Sequence, residues 1–225
     1  MPAFKIAVIG GDGIGPEVID QAVRVLEVVT KKANASFTWN KLPWSAINYE
    51  KTGVMVPDDG WDLLKKHDAI FLGAVGHPSV SDHIPVHGLL LPMRRMFDQY
   101  VNLRPSYLYE GVDSPLRDKA PGSIDILFFR ENTEGEYSSV GGRMFPDTDR
   151  EFVTQQTVMT RVGVDRILKF AFDLAESRPK KHLTSATKSN GISITMPYWD
   201  ERFAAMSRNY PEVKTSQYHV DGITI

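Results

Sequence analysis

The chain has 225 residues, 42% hydrophobic and 24% charged, with a formal net charge of −2 at pH 7 and no cysteine. That composition fits a globular protein with a real core and excludes disordered and collagen-like classes. The near-neutral charge leaves no global field to recruit nucleic acid or an anionic membrane, and without cysteine there is no disulfide scaffold and no Cys-based zinc or iron–sulfur site.

Residues 4–9 form a short β-branched run that follows Met1-Pro2-Ala3 without the basic region, apolar stretch and cleavage site of a signal peptide. No stretch reaches the roughly 20 apolar residues that span a bilayer. The expectation is a soluble, unprocessed, cytoplasmic protein. After the strand come Gly10-Gly11-Asp12-Gly13-Ile14-Gly15 and then Pro16-Glu17, which suit a first helical turn. The helix is predicted to run to about Lys32, with Val18, Ala22, Val25 and Val29 as its apolar stripe. Phe37 and Trp39 alternate with polar neighbours as in a second strand, residues 61–66 read as a short helix, and residues 69–75 as a parallel strand covered on both faces. Residues 89–100 are predicted helical. Pro105, Pro115 and Pro121 then break the chain into turns and strands. Strands are predicted at 124–129, 151–160, 182–186 and 213–220, and helices at 163–177 and 198–209. The class is α/β, with a first domain over residues 1–100 and a second over 101–225.

Gly11, Gly13 and Gly15 do not make a dinucleotide fingerprint, because the sixth position of G-x-G-x-x-G is Pro16. Two readings stand for this segment. It is a tight turn that needs positive φ, or it presents backbone amides to a ligand.

The segment Gly11-Asp12-Gly13-Ile14-Gly15-Pro16-Glu17 resembles the opening of the isocitrate/isopropylmalate dehydrogenase family, the β-decarboxylating dehydrogenases. Further motifs follow in family order. They are Leu72-Gly73-Ala74-Val75-Gly76, Asn102-Leu103-Arg104-Pro105, Arg130-Glu131-Asn132-Thr133-Glu134-Gly135-Glu136-Tyr137, Thr187-Lys188-Ser189-Asn190 and Tyr218-His219-Val220-Asp221. The resemblance covers residues 4–221 and implies an isopropylmalate-dehydrogenase-like, non-Rossmann, two-domain fold.

It also implies a chemistry that the residue types can support. Guanidinium groups bind carboxylates through paired hydrogen bonds, so Arg94, Arg104 and Arg130 suit a dicarboxylate. Any one of them alone reads first as a solvated surface charge, as Arg95 does. Lys188 alone reads as an exposed lysine. The resemblance makes it the base at the C2 hydroxyl, a role that neighbouring positive charges would favour. Tyr137, otherwise an amphipathic tyrosine at a domain edge, becomes the general acid for the enol left after decarboxylation. Asn190, Gly73 and Val75 are implied at the NAD site, and Asp221 as one ligand of Mg²⁺ or Mn²⁺. By itself Asp221 is a strand-end polar residue.

Within the family, the segment Asp82-His83-Ile84-Pro85-Val86-His87-Gly88-Leu89-Leu90-Leu91 is more similar to the branch acting on tartrate and D-malate than to the 3-isopropylmalate branch. His83 and His87 read equally as surface histidines. The resemblance implies NAD- and metal-dependent oxidation and decarboxylation of a 2-hydroxy diacid by a homodimer whose sites lie between subunits. The chain reads Gly222-Ile223-Thr224-Ile225 where the family continues, which gives two further expectations. The first domain is incomplete, and the alternative function is that of an inactive, truncated fragment that only dimerises or binds a dicarboxylate.

Overall fold

In the computed structural model, which describes residues 2–223, the chain forms two compact units, one up to Met96 and one from Phe97 onward. Among the described residues no helix is long and apolar enough to cross a membrane.

The first unit is built on a parallel sheet of order β2-β1-β3, with β1 (Ala3–Ile9), β2 (Ser36–Leu42) and β3 (Ala69–Leu72). β1 is central, and Ile6, Ala7, Val8 and Ile9 are all buried because both of its faces are covered. Helix α1 (Ile14–Lys32) packs Ile19 and Val23 on Ile6, Val8, Phe37, Trp39 and Phe71. Phe37 and Trp39 meet edge to face at 5.2 Å. The predicted stripe on α1 is overturned: Val18, Val25 and Val29 are 55%, 62% and 50% exposed. Gly15 sets the helix phase, since a Cβ there would lie 2.3 Å from the carbonyl oxygen of Gly10. With Gly15 turned inward, Ile19, Val23, Leu26 and Thr30 follow on the same face at helical spacing.

Helix α2 (Ala46–Thr52), which the sequence reading missed, carries ordinary start and stop signals. Ser45 caps it by accepting the Asn48 N–H, and Gly53 ends it at φ 72°. A short helix α3 (Gly60–Leu64) precedes β3. β3 is shorter than predicted, because the chain leaves the sheet at Gly73, and none of its residues is buried, because it lies at the edge of the sheet with β1 as its neighbour. The predicted helix at 89–100 is displaced. A helical stretch begins earlier, as α4 (His83–Pro85), a π-helical turn (Val86–Leu90) and α5 (Leu91–Met96), and Asp98 at φ 46° lies beyond its end.

In the second unit, β4 (Val101–Tyr107) and β5 (Asp125–Glu131) form one antiparallel ribbon, and β6 (Gly135–Met144) and β7 (Phe152–Val158) another. Strands β4 and β6 were not predicted; Gly135, Gly141 and Gly142 within β6 and Pro105 within β4 mask the strand pattern. Helix α6 (Arg161–Ser177) starts at Thr160, whose hydroxyl accepts the Gly163 N–H at 3.0 Å. Its inward face, Val164, Leu168, Ala171, Phe172 and Ala175, packs with Leu183 of β8 (His182–Thr187) and Phe203 of α7 (Thr195–Ser207) to form the core. Phe172 is wholly buried, with the Phe203 ring at 5.3 Å and Tyr210 stacked at 5.0 Å. β8 pairs in parallel with β9 (Lys214–His219). The predicted last strand ends at His219, and Val220–Ile223 form a helical turn, α8.

Candidate active site

In an open parallel sheet, ligands bind outside the carboxyl ends of the strands where the strand order reverses. In the first unit that position lies between β1 and β3, and two loops occupy it, 10–15 and 73–76. They are packed backbone to backbone. A Cβ on Gly73 would sit 2.2 Å from the Gly10 carbonyl oxygen, and one on Gly11 would sit 1.9 Å from that of Ala74. The turn reading of the glycines therefore accounts for Gly11 and Gly13, with φ 76° and 56°, and loop contact accounts for Gly73. Val75 in the 73–76 loop is half-buried.

Asp12 was quoted only as part of a motif, yet it organises this end of the sheet. Its carboxylate, 3% exposed, accepts the N–H of Ala46 at 2.8 Å, of Ile47 at 3.0 Å and of Gly76 at 3.0 Å. Burial alone would push its carboxyl up. The N–H groups of Ile47, Ala46 and Gly76, with the Ser45 side chain, outweigh burial and hold it below the ordinary range. Arg94 is half-buried on α5 of the same unit, and Arg95 beside it is exposed.

In the second unit, Arg130 on β5 lies opposite Asn102 on β4, and Arg104 lies opposite Phe128. Paired residues of an antiparallel ribbon share a face, so Arg104 and Arg130 are diagonal neighbours on one face. That face is turned away from Phe129, which contacts Phe170 of α6. Arg104 donates to Asn102 Oδ1 at 2.8 Å and Arg130 to Asn132 Oδ1 at 3.2 Å. The Arg130 Nε is buried without a hydrogen-bond partner, so the fork keeps an unspent donor. The Arg130 guanidinium lies 5.7 Å from the centre of the Tyr137 ring. Tyr137 stands where the β6–β7 register slips, between Gly135 and Val140. Such a bulge re-aims a side chain out of the ladder.

Sequence reasoning missed the bracing of this corner. Asn132 is buried and donates to the Gln99 carbonyl at 3.0 Å. Glu131 accepts the N–H groups of Thr133 and Glu134, at 3.0 and 2.8 Å. Glu134 accepts from Thr160 at the start of α6. Arg166 of α6 binds both Asp98 oxygens, the Thr133 hydroxyl and the face of Tyr100. Nothing in the sequence distinguishes this mid-helix arginine from a surface charge.

Lys188 and Asp221 leave the carboxyl ends of adjacent parallel strands, where Thr187 pairs with His219. Lys188 Nζ donates to Asp221 Oδ2. That hydrogen bond first, and a smaller one from Asn190, hold the Asp221 carboxyl below its ordinary range. Three predicted residues thus form one cluster. The sequence reading expects positive charges around Lys188, whereas its recorded partner is a carboxylate. Among the described residues no group of three or more His, Cys, Asp or Glu is placed to hold an ion. Among the described residues Asp221 is thus a single carboxylate, one oxygen of which an ammonium engages, and the described donors do not by themselves fit a Mg²⁺ or Mn²⁺ centre.

The fold and site define an α/β protein with a parallel-sheet unit and a second unit that carries paired arginines. Residues 5–225 match the family described as isocitrate/isopropylmalate dehydrogenase, and the chain belongs to it. It is 52% identical over 223 residues to the D-malate dehydrogenase [decarboxylating] of Escherichia coli (strain K12), covering 98% of this chain and 62% of that protein. It is equally 52% identical, over 225 residues, to the tartrate dehydrogenase/decarboxylase of Pseudomonas putida, with the same two coverages. The crystal structure of isocitrate dehydrogenase from Methylococcus capsulatus superimposes with a TM-score of 0.84 at 27% identity, over 98% of this chain and 61% of that one. The chain thus spans about 62% of the length of these curated relatives.

Proposed function

We propose that this chain takes part in the NAD-dependent oxidation and decarboxylation of a small 2-hydroxy diacid, D-malate or tartrate. The observation that carries the reading is the pairing of Arg104 and Arg130 on one ribbon face with Tyr137 against Arg130. Two guanidinium groups at that spacing suit the carboxylates of a four-carbon diacid, and Arg94 offers a third in its own unit.

NAD, when bound, accepts the hydride from C2 of the substrate. Lys188 acts as the base in its neutral form, after its ammonium proton passes to the Asp221 carboxylate it contacts, and it then takes the proton of the C2 hydroxyl as that C–H bond breaks. The resulting 2-keto diacid loses carbon dioxide, and Tyr137 donates its phenolic proton to C3 of the enol that remains. Asn190, beside Lys188, faces the nicotinamide carboxamide in this reading, and Gly73 and Val75 support the dinucleotide. No step is routed through a metal ion. The family's homodimer is proposed for this chain as well, with the lysine of one copy serving the arginines of the other. A cytoplasmic location goes with this metabolic role.

The test is NADH formation at 340 nm with D-malate, tartrate and 3-isopropylmalate, plus Mn²⁺, and its loss in Lys188→Ala. The lone, engaged Asp221 carboxylate favours a second reading, in which the chain binds the diacid without turning it over. Calorimetric diacid binding that Arg130→Ala removes, with no NADH formed, would select it. A chain that neither binds nor oxidises any of the three diacids would sink both readings.

A further inference from the structure

Outside this cluster, a pair of histidines on the stretch that leads into α5 has the geometry of a ligand set. His83 and His87 stand four residues apart across the junction of α4 and the π-helical turn, and both are exposed. Their ring centres are 4.1 Å apart with the planes tilted by 31°. The backbone that carries them is held from the other side. Pro85 and Leu89 are buried, and a Cβ on Gly88 would lie 3.1 Å from Met55 Cβ. The two imidazoles therefore project together from a fixed stretch of chain.

The other partnered histidines of this unit are engaged elsewhere: His67 with Asn40 and the Leu63 carbonyl, His77 with Ser79. The recorded contact of His83 and His87 is with each other. A neutral imidazole nitrogen, which keeps its lone pair, is the form that ligates metals.

From this juxtaposition we infer that His83 and His87 form a two-imidazole clamp for a borderline divalent cation of the Zn²⁺, Ni²⁺ or Cu²⁺ type. Two histidines at i and i+4 on one helix face are a known chelating spacing. A metal–nitrogen bond of about 2.0–2.1 Å needs the two nitrogens about 3.3 Å apart in tetrahedral geometry, within reach of these rings by side-chain rotation. Imidazole selects these ions over Mg²⁺ and Mn²⁺, which prefer carboxylate and water oxygens, so the clamp is chemically separate from Asp221. Two protein ligands leave the remaining positions to water. Arg95 opposes the cation's charge, so affinity rests on the two nitrogens.

The experiment is calorimetric titration of NiCl₂ or ZnCl₂ into the full chain, with excess Mg²⁺ present throughout. Wild type is expected to take up one ion per chain and to melt at a higher temperature in its presence, because binding to the native state alone stabilises it. His83→Ala and His87→Ala are each expected to weaken that site by at least the roughly 10–100-fold typical of a lost supporting partner. His219→Ala is expected to leave it unchanged. If either alanine variant fails to fold by circular dichroism, His83→Gln and His87→Gln carry the same expectation. The inference is overturned if wild type takes up no ion, or if the His83 and His87 variants titrate as wild type does.

Discussion

Asp12 Oδ2 accepts the backbone N–H of Gly76 at 3.0 Å, joining positions 64 residues apart in sequence. The same carboxylate holds the first turn of α2 through Ala46 and Ile47. Asp12→Ala orphans three N–H groups at once, that of Ala46 buried and those of Ile47 and Gly76 partly buried, and an unsatisfied buried group costs about 1–3 kcal/mol. The expected loss is about 3 kcal/mol or more in urea unfolding, with Asp12→Asn milder because one acceptor oxygen remains. The pH sign follows from a carboxyl held below 3.8 in the folded chain. Its contribution is complete above the unfolded value and lost as pH falls through the lower folded value. Asp12→Asn should therefore flatten the acid limb of stability below about pH 4.

Gly73→Ala tests whether loop contact dictates that glycine. The added methyl would meet the Gly10 carbonyl oxygen at 2.2 Å, a backbone atom that cannot rotate aside. Overpacking of this kind costs about 1–3 kcal/mol, to be read as a lowered Tm. An unchanged Tm would return Gly73 to the ligand-contact reading alone.

Among the described residues Phe172 is the largest fully buried side chain, with the Tyr210 ring stacked on it and the Phe203 ring tilted against it. Phe172→Ala is expected to cost about 3–5 kcal/mol in denaturant unfolding. Phe172→Leu should recover much of that loss.

Arg130→Lys preserves charge but removes the planar fork. Losing one charge-assisted hydrogen bond, about 1.5–3 kcal/mol, predicts roughly 10–150-fold weaker D-malate binding by calorimetry. Arg95→Lys, at the exposed position beside Arg94, is expected to bind as wild type does.

The glycine–strand–helix punctuation made most elements legible from residue types, because Gly15, Thr160 and the β-branched strands act locally. The phase of α1 was not legible. It depends on the contact between Gly15 and Gly10, which no helical periodicity records, and Val18, Val25 and Val29 made a competing stripe. The motifs holding Arg104, Arg130, Tyr137, Lys188, Asn190 and Asp221 were legible as family signals. Their bracing was not, since Arg166 and Asp12 act through partners 33–68 residues distant. The Lys188–Asp221 pairing also escaped notice, because it follows from the parallel pairing of β8 with β9.

The second unit is unevenly covered. Among the described residues α6 has seven buried positions, whereas the β6–β7 ribbon is largely exposed and each of its strands has one strand neighbour. A lone two-stranded ribbon is marginally stable in water. Amide protons along β6 and β7 should accordingly exchange with deuterium through small local openings, within minutes, while those of α6 wait for the whole unit to open. Tyr137 rides on this ribbon, so each local opening would carry its phenol away from the Arg130 guanidinium while the α6 core stays closed.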